Sequence, residues 1–347
     1  MKDQLMQLWD ERRNPRIIAA SLLFLLAVVV MIYVPTTNNR RYMTIGIMTF
    51  IYIALGQSWN IGIMAGLFSV SHSTFFGLGV YGMTVTLSKF HGNVVTAILV
   101  GLMLNLILAV IIGVISSKLS GLYFIMALIG LSVSLHSLAM QWTSLTGGPT
   151  GINMPRAFLT PKRTLYFIAM GIAIASILFY TLLRRSRIGT SFVTARDNPN
   201  LASALGSNVA LWKTLNIMIS AGMAGLCGSF YAFHLMSNNP DILAGTYSLK
   251  VMMVCIVGGL DSVWGPVLGA IMIVLDEFMR GGMPASYAPF SVIIYAVVLI
   301  IMALARPGGL ASFFIIPGKK STLGITPLEA AGLTGTKKKE DAHAAGN

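Results

Sequence analysis

Long apolar segments separated by short polar breaks dominate this chain. Runs at 17–34, 43–63, 65–87, 94–115, 122–141, 165–183, 213–235, 249–259, 264–279 and 290–305 carry almost no charge. A bilayer core takes about 20 apolar residues per helix, and most of these runs approach that length. In hydrocarbon every backbone group must find its partner inside the protein, so the elements they predict are helices. The pattern therefore predicts an all-α polytopic membrane protein with about 8–10 transmembrane helices. Two runs are short. Those at 249–259 and 264–279 flank Gly258-Gly259-Leu260-Asp261-Ser262-Val263-Trp264-Gly265-Pro266 and predict a re-entrant hairpin or one broken span.

The longest polar break begins at Arg184 and ends near Asn208. Inside it, Asn198-Pro199-Asn200-Leu201-Ala202-Ser203-Ala204-Leu205-Gly206 reads as a short helix. Asn198 is suited to cap the free N–H groups, Pro199 to the first helical position, and Gly206 to a left-handed exit. Leu201, Ala204 and Leu205 share one face at i, i+3 and i+4. Such a helix, isolated between spans, has no core of its own to join. The expectation is a docking surface for another protein.

Composition agrees with a membrane location. Of 347 residues 55% are hydrophobic and 10% charged, with mean hydropathy +0.77, against about 25% charged in soluble domains. The net charge of +13 does not point to nucleic acid, because the Lys and Arg residues form no basic-aromatic patch. With ten crossings and the N-terminus inside, cytoplasmic loops hold 16 of the 24 basic residues. That bias predicts both termini, and the 184–212 loop, in the cytoplasm. A single crossing at 249–279 would instead carry Lys337-Lys338-Lys339 outside. The expected organisation is a cytoplasmic N-terminal segment at 1–16, a transmembrane domain at 17–316 and a disordered cytoplasmic tail at 317–347. No cleavable signal peptide is expected.

Candidate chemistry is sparse. No Asp or Glu occurs between Glu11 and Asp197. Near later spans stand Asp261 and the Asp276–Glu277 pair. A proton-coupled carrier usually needs a membrane carboxylate relay, so a stand-alone secondary transporter or channel ranks second. Gly318-Lys319-Lys320-Ser321 lacks the spacing of a phosphate loop, so any ATP would be bound by another chain. His72, His91, His136, His234 and His343 form no metal-ligand pattern, and Cys227 and Cys255 read as small buried hydrophobes. No catalytic residue, metal site or cofactor is expected, and a membrane-embedded enzyme ranks last.

Three polar clusters remain. Gln57 and Asn60 close the second apolar run, and Ser69, Ser71, His72, Gly77, Gly79 and Tyr81 follow. These eight residues are candidates for the lining of a translocation route. The same small and polar residues also suit tight helix packing around a satisfied histidine. Thr146, Gly147, Gly148, Pro149 and Gly151 predict an ordered turn on the outer side. It could gate the outer mouth, contact a solute-binding partner or simply connect two spans.

The segment Ser69-Val70-Ser71-His72-Ser73-Thr74-Phe75-Phe76-Gly77-Leu78-Gly79 resembles the signature of ABC permeases for branched-chain amino acids, the LivM type. Leu122-Tyr123-Phe124, Thr146 to Pro149, Arg196 to Pro199 with Ala204 to Asn208, Gly258-Gly259 with Gly265 to Ala270, and Arg306 to Leu310 agree in order. The likeness covers roughly residues 43–312. It departs at Ser207, where the family usually has an apolar residue, and at Thr150, where Asn or Asp is common. The resemblance implies a multi-pass subunit of an ATP-driven importer in a bacterial inner membrane. Its partners would be a second, related permease, two cytoplasmic ATPases and a periplasmic solute-binding protein. It further implies that the 184–212 loop couples to the ATPase through Arg196, Asp197, Asn198, Pro199, Leu201, Ala204, Leu205 and Gly206. Related permeases import urea, short amides or aromatic acids, which stand as alternative solutes.

Overall fold

The computed structural model describes residues 34–37, 39–119 and 121–274, with the separate positions 278, 297, 300, 301, 309 and 310. Apart from such single positions, the expected 17–34 and 290–305 spans, the 1–16 segment, the Asp276–Glu277 pair and the 317–347 tail lie outside the described residues.

The described chain is helical. Its helices are α1 (Arg40–Met64), α2 (His72–Ser88), α3 (Val94–Lys118), α4 (Leu122–Gln141), the short α5 (Thr143–Thr146), α6 (Lys162–Arg185), α7 (Arg187–Asp197), α8 (Pro199–Ala204), α9 (Val209–Leu235), α10 (Gly245–Gly258) and α11 (Gly265–Gly269). Among the described residues, five helices are long and apolar enough to cross a membrane: α1, α3, α4, α6 and α9. Two-residue strands β1 (Ile152–Asn153) and β2 (Ser237–Asn238) pair antiparallel, with Ile152 opposite Asn238. They tie the segment after α5 to the end of α9.

α1 is the axis of the bundle. Its apolar window is almost wholly buried, that of α9 mostly so, and those of α3, α4 and α6 largely exposed. α1 packs on α6, where Phe50 meets Tyr166 edge-on at 5.3 Å. α9 packs on α3, α2 and α1. Lipid supplies no hydrophobic force between helices, so close backbone approach must hold them together. Glycines permit it: a Cβ on Gly79 would lie 2.1 Å from the Gly225 carbonyl oxygen, and one on Gly228 would lie 2.0 Å from that of Phe76.

Two boundaries differ from expectation. The 65–87 run is not one helix. The chain leaves α1 at Met64, turns through Gly66 at φ +74, and resumes helix only at His72. The backbone N–H groups of Ala65 and Leu67 donate to the Gly62 carbonyl, and Trp59 Nε1 donates to the Ser69 carbonyl at 2.8 Å. The turn lies beside α7, where a Cβ on Gly66 would meet the Arg196 side chain. The polar 184–212 loop, in turn, is mostly helix. Ser186 Oγ accepts the Gly189 N–H at 3.2 Å and starts α7, whose Phe192 and Ala195 point inward.

The expected break at 249–279 is a helical hairpin. α10 and α11, which continues as apolar helix to Val274, run antiparallel with backbones in contact. A Cβ on Gly258 would strike the Gly265 carbonyl, and one on Gly269 would strike that of Val254. The pair leans on α1, where a Cβ on Gly56 would meet Pro266 and Cys255.

Candidate functional site

A buried polar seam runs where α1, the start of α2, α9 and α10 converge. Ser58 Oγ lies 2.6 Å from His72 Nε2. Ser220 Oγ donates to the Ser58 carbonyl at 2.7 Å, and Asn216 Nδ2 to the Ile61 carbonyl at 2.6 Å. The beginnings of α2 and α10 are joined: Ser248 Oγ accepts the Ser73 N–H at 2.7 Å and donates to Ser73 Oγ at 2.8 Å. Ser73 Oγ donates onward to the Leu243 carbonyl at 3.1 Å. Gln57 Nε2 donates to the Val263 carbonyl at 2.7 Å, and Asn60 Nδ2 to that of Ser262 at 3.1 Å. Both amides thus fasten the hairpin turn.

The donors of this seam are largely occupied, whereas several acceptors are not. Gln57 Oε1, Asn60 Oδ1 and Asn216 Oδ1 are buried without a hydrogen-bond partner among the described residues. Ser71 Oγ, Thr74 Oγ1, Ser69 Oγ and His72 Nδ1 share that state. Buried polar atoms inside a bundle are costly unless a polar guest or water meets them. Six of the eight expected route residues, namely Gln57, Asn60, Ser69, Ser71, His72 and Tyr81, bring polar side chains inward, and Tyr81 OH is also unpartnered. Gly77 and Gly79 instead sit against the Leu243 side chain and the Gly225 backbone. They are contact points between helices. Asn216, Ser220 and Ser248 belong to the seam although none falls in a polar cluster that the sequence marks out, which leaves only a faint sequence signal.

The Thr146–Gly151 segment is a closed turn. Thr146 Oγ1 donates to the Ala139 carbonyl at 2.5 Å and accepts the Gly148 N–H at 3.2 Å. Gly147, Gly148 and Gly151 all have positive φ, and a Cβ on Gly151 would lie 2.3 Å from the Asn238 carbonyl oxygen. Pro149 and Thr150 are exposed. Nearby, His136 Nε2 lies 3.8 Å from the exposed Asp241 carboxylate.

At the opposite end, α7 and α8 form an exposed corner. Asn198 does not cap α8 with its side chain, contrary to expectation. Its backbone serves both helices, donating to the Thr194 carbonyl and accepting from Ala202 N–H. Pro199 takes the first helical position, and Gly206 exits at φ +80 with nothing within 4 Å of an added Cβ. Leu201 is 53% exposed, Leu205 is 76% exposed, and Ala204 is also exposed, while Ala202 anchors the helix inward. Ser207 Oγ accepts Trp212 Nε1–H at 3.0 Å, which gives the departure at 207 a local use. Arg196 Nε pairs with Asp197 at 2.8 Å.

Among the described residues, no group of three or more His, Cys, Asp and Glu side chains could hold a metal ion.

Residues 41–303 match the family described as the permease component of the branched-chain amino acid transport system. The chain is 24% identical over 321 residues to the high-affinity branched-chain amino acid transport system permease protein LivM of Escherichia coli (strain K12), covering 83% of this chain and 74% of that one. LivM of Salmonella typhimurium gives the same figures. A probable LivH permease of Methanocaldococcus jannaschii is 24% identical over 138 residues, 38% of this chain and 42% of that one. A solved structure, PsaBC from Streptococcus pneumoniae in complex with Fab, superposes with TM-score 0.45 and 15% identity, covering 81% of this chain and 97% of that one. With three quarters of its length matched, end to end through the bundle, this chain belongs to the family of permease components of branched-chain amino acid transport systems.

Proposed function

We propose that this chain forms half of the translocation pathway of an ATP-driven importer for branched-chain amino acids. It would work beside a second, related permease, with two ATPase subunits on the cytoplasmic side and a solute-binding protein outside. The polar seam around Ser58, His72, Asn216 and Ser248 is the candidate route, and the Thr146–Gly151 turn the candidate outer contact. The α7–α8 corner is the candidate ATPase dock.

One observation carries the reading. The exposed apolar pair Leu201 and Leu205 stands on a short helix anchored by the buried Ala202 and covered by nothing among the described residues. A surface of that kind suits a joint that must transmit motion from a partner. Chemical work is left to the partner chains, since the permease family to which this chain belongs supplies the membrane component.

The test is uptake into proteoliposomes containing the full complex, with leucine, urea, acetamide and benzoate as solutes. ATP-dependent leucine uptake that exceeds the others supports the proposal. Uptake of leucine by this chain alone, without ATPase subunits, would refute it in favour of a self-sufficient carrier.

A further inference from the structure

We propose that Asp261 is a positioning residue that carries movement of the α7–α8 corner into the α10–α11 hairpin. The inference rests on reading that corner as the ATPase dock.

Asp261 sits in the turn between α10 and α11, is 5% exposed, and has φ +51. A residue other than glycine persists in this left-handed region when its surroundings over-determine it. Here they do. Asp261 Oδ1 accepts Tyr180 OH at 3.0 Å, and Oδ2 faces Arg184 Nη2 at 3.4 Å and Arg196 Nη1 at 3.7 Å. The Asp261 carbonyl also accepts a hydrogen bond from Arg184 Nη1. One carboxylate is therefore the point where the last turn of α6, the last turn of α7 and the hairpin turn meet.

The opposite side of the same turn is held by α1, through Gln57 to the Val263 carbonyl and Asn60 to that of Ser262. Arg196 adds a second tie, donating from Nη1 to the Ile63 carbonyl at 3.4 Å. Displacing α7 thus pulls on Asp261, and the turn bears on Gln57 and Asn60 in the polar seam. The hairpin has little slack to absorb this motion, because its two helices touch backbone to backbone at Gly258 and Gly269. Arg196 is largely buried, so loss of the carboxylate leaves a desolvated cation short of one partner.

The experiment compares Asp261→Asn, Asp261→Gly and Asp261→Glu in the complete complex in proteoliposomes, reading solute imported per ATP hydrolysed. Asn removes the charge at constant shape. Gly removes the carboxylate but adopts the left-handed backbone freely. The expected result is at least a fivefold fall in solute per ATP for Asn and Gly, with hydrolysis continuing, and recovery to within twofold for Glu. Normal coupling in Asp261→Gly overturns the inference. Leu205→Asp run alongside separates the two ideas. If it uncouples and Asp261→Gly does not, only the role of Asp261 fails. If Leu205→Asp itself couples normally, the dock reading fails. Should the Asp261 variants not assemble, hydrogen exchange on the unaltered complex decides. Protection of the backbone at 259–264 is expected to change at least fivefold when a non-hydrolysable ATP analogue is added. Unchanged protection overturns the inference.

Discussion

Replacing Gly79 with Ala should loosen the bundle where α2 crosses α9. The new Cβ would sit 2.1 Å from the Gly225 carbonyl oxygen and 2.8 Å from Gly225 Cα. Ordinary contact begins near 3.4 Å, so α2 and α9 would have to part by roughly 1.3 Å. The obstacle is backbone, and no rotamer change can relieve it. The same helices also touch where Gly228 meets the Phe76 carbonyl and where Ser229 Oγ donates to the Gly79 carbonyl at 3.3 Å, so parting them disturbs both contacts. Overpacking of this kind costs about 2–3 kcal/mol, a shift of roughly 30- to 140-fold in the folding equilibrium. The measurement is reversible unfolding of the purified permease in mixed micelles, followed by tryptophan fluorescence. Gly171→Ala is the control, because nothing lies within 4 Å of its Cβ and alanine favours helix by up to about 1 kcal/mol. If Gly79→Ala is as stable as Gly171→Ala, the reasoning from close backbone approach is wrong.

Three further outcomes are expected. Leu205→Asp places a carboxylate on the exposed apolar face of α8, where burial against a partner without a counter-charge costs several kcal/mol. Import per ATP should fall at least tenfold while membrane insertion is kept, and unchanged coupling with an intact complex would show that α8 is only a connector. A cysteine at Ser203 should react with a membrane-impermeant maleimide only from the cytoplasmic side and one at Thr150 only from outside; labelling of both from one side would refute the proposed orientation. His72→Gln should lower transport severalfold with the complex still recovered, since glutamine can keep a hydrogen bond to Ser58. Loss of assembly would make His72 a packing element alone.

Much of this architecture is legible from local patterns. The interruption near 258–266 follows from Gly258-Gly259 and Gly265-Pro266, while its form as a hairpin needs the backbone contacts at Gly258 and Gly269. α8 follows from Pro199 and Gly206, whose backbone preferences hold in any context. α7 is hidden because only Gly189, Phe192 and Ala195 of its eleven residues are buried, and the rest are mostly polar or exposed. The break at 65–71 is masked by Leu67, Phe68 and Val70, which keep the stretch apolar although the backbone turns at Gly66. The polar seam lies furthest from a local reading. Gln57 and Asn60 find their partners about 200 positions away, at Val263 and Ser262, and no sequence spacing encodes that encounter. Asp261 looks like a turn residue until Tyr180, Arg184 and Arg196 are brought around it.

The burial gradient across the bundle has a consequence for biogenesis. α1 and α9, the helices most enclosed by protein, are also the least apolar of the five long spans, whereas the outlying α3 is the most apolar. The insertion machinery judges each segment against lipid as it emerges, and a weakly apolar one partitions poorly by itself. α1 is synthesised before α9 and the α10–α11 hairpin and must wait for them before its polar C-terminal half is shielded. The nascent chain therefore holds its future axis in a provisional state beside the translocon, and final commitment of that axis comes only with its later neighbours. Truncation after α2 should leave α1 prone to slip back out, a quality-control liability that the completed bundle erases.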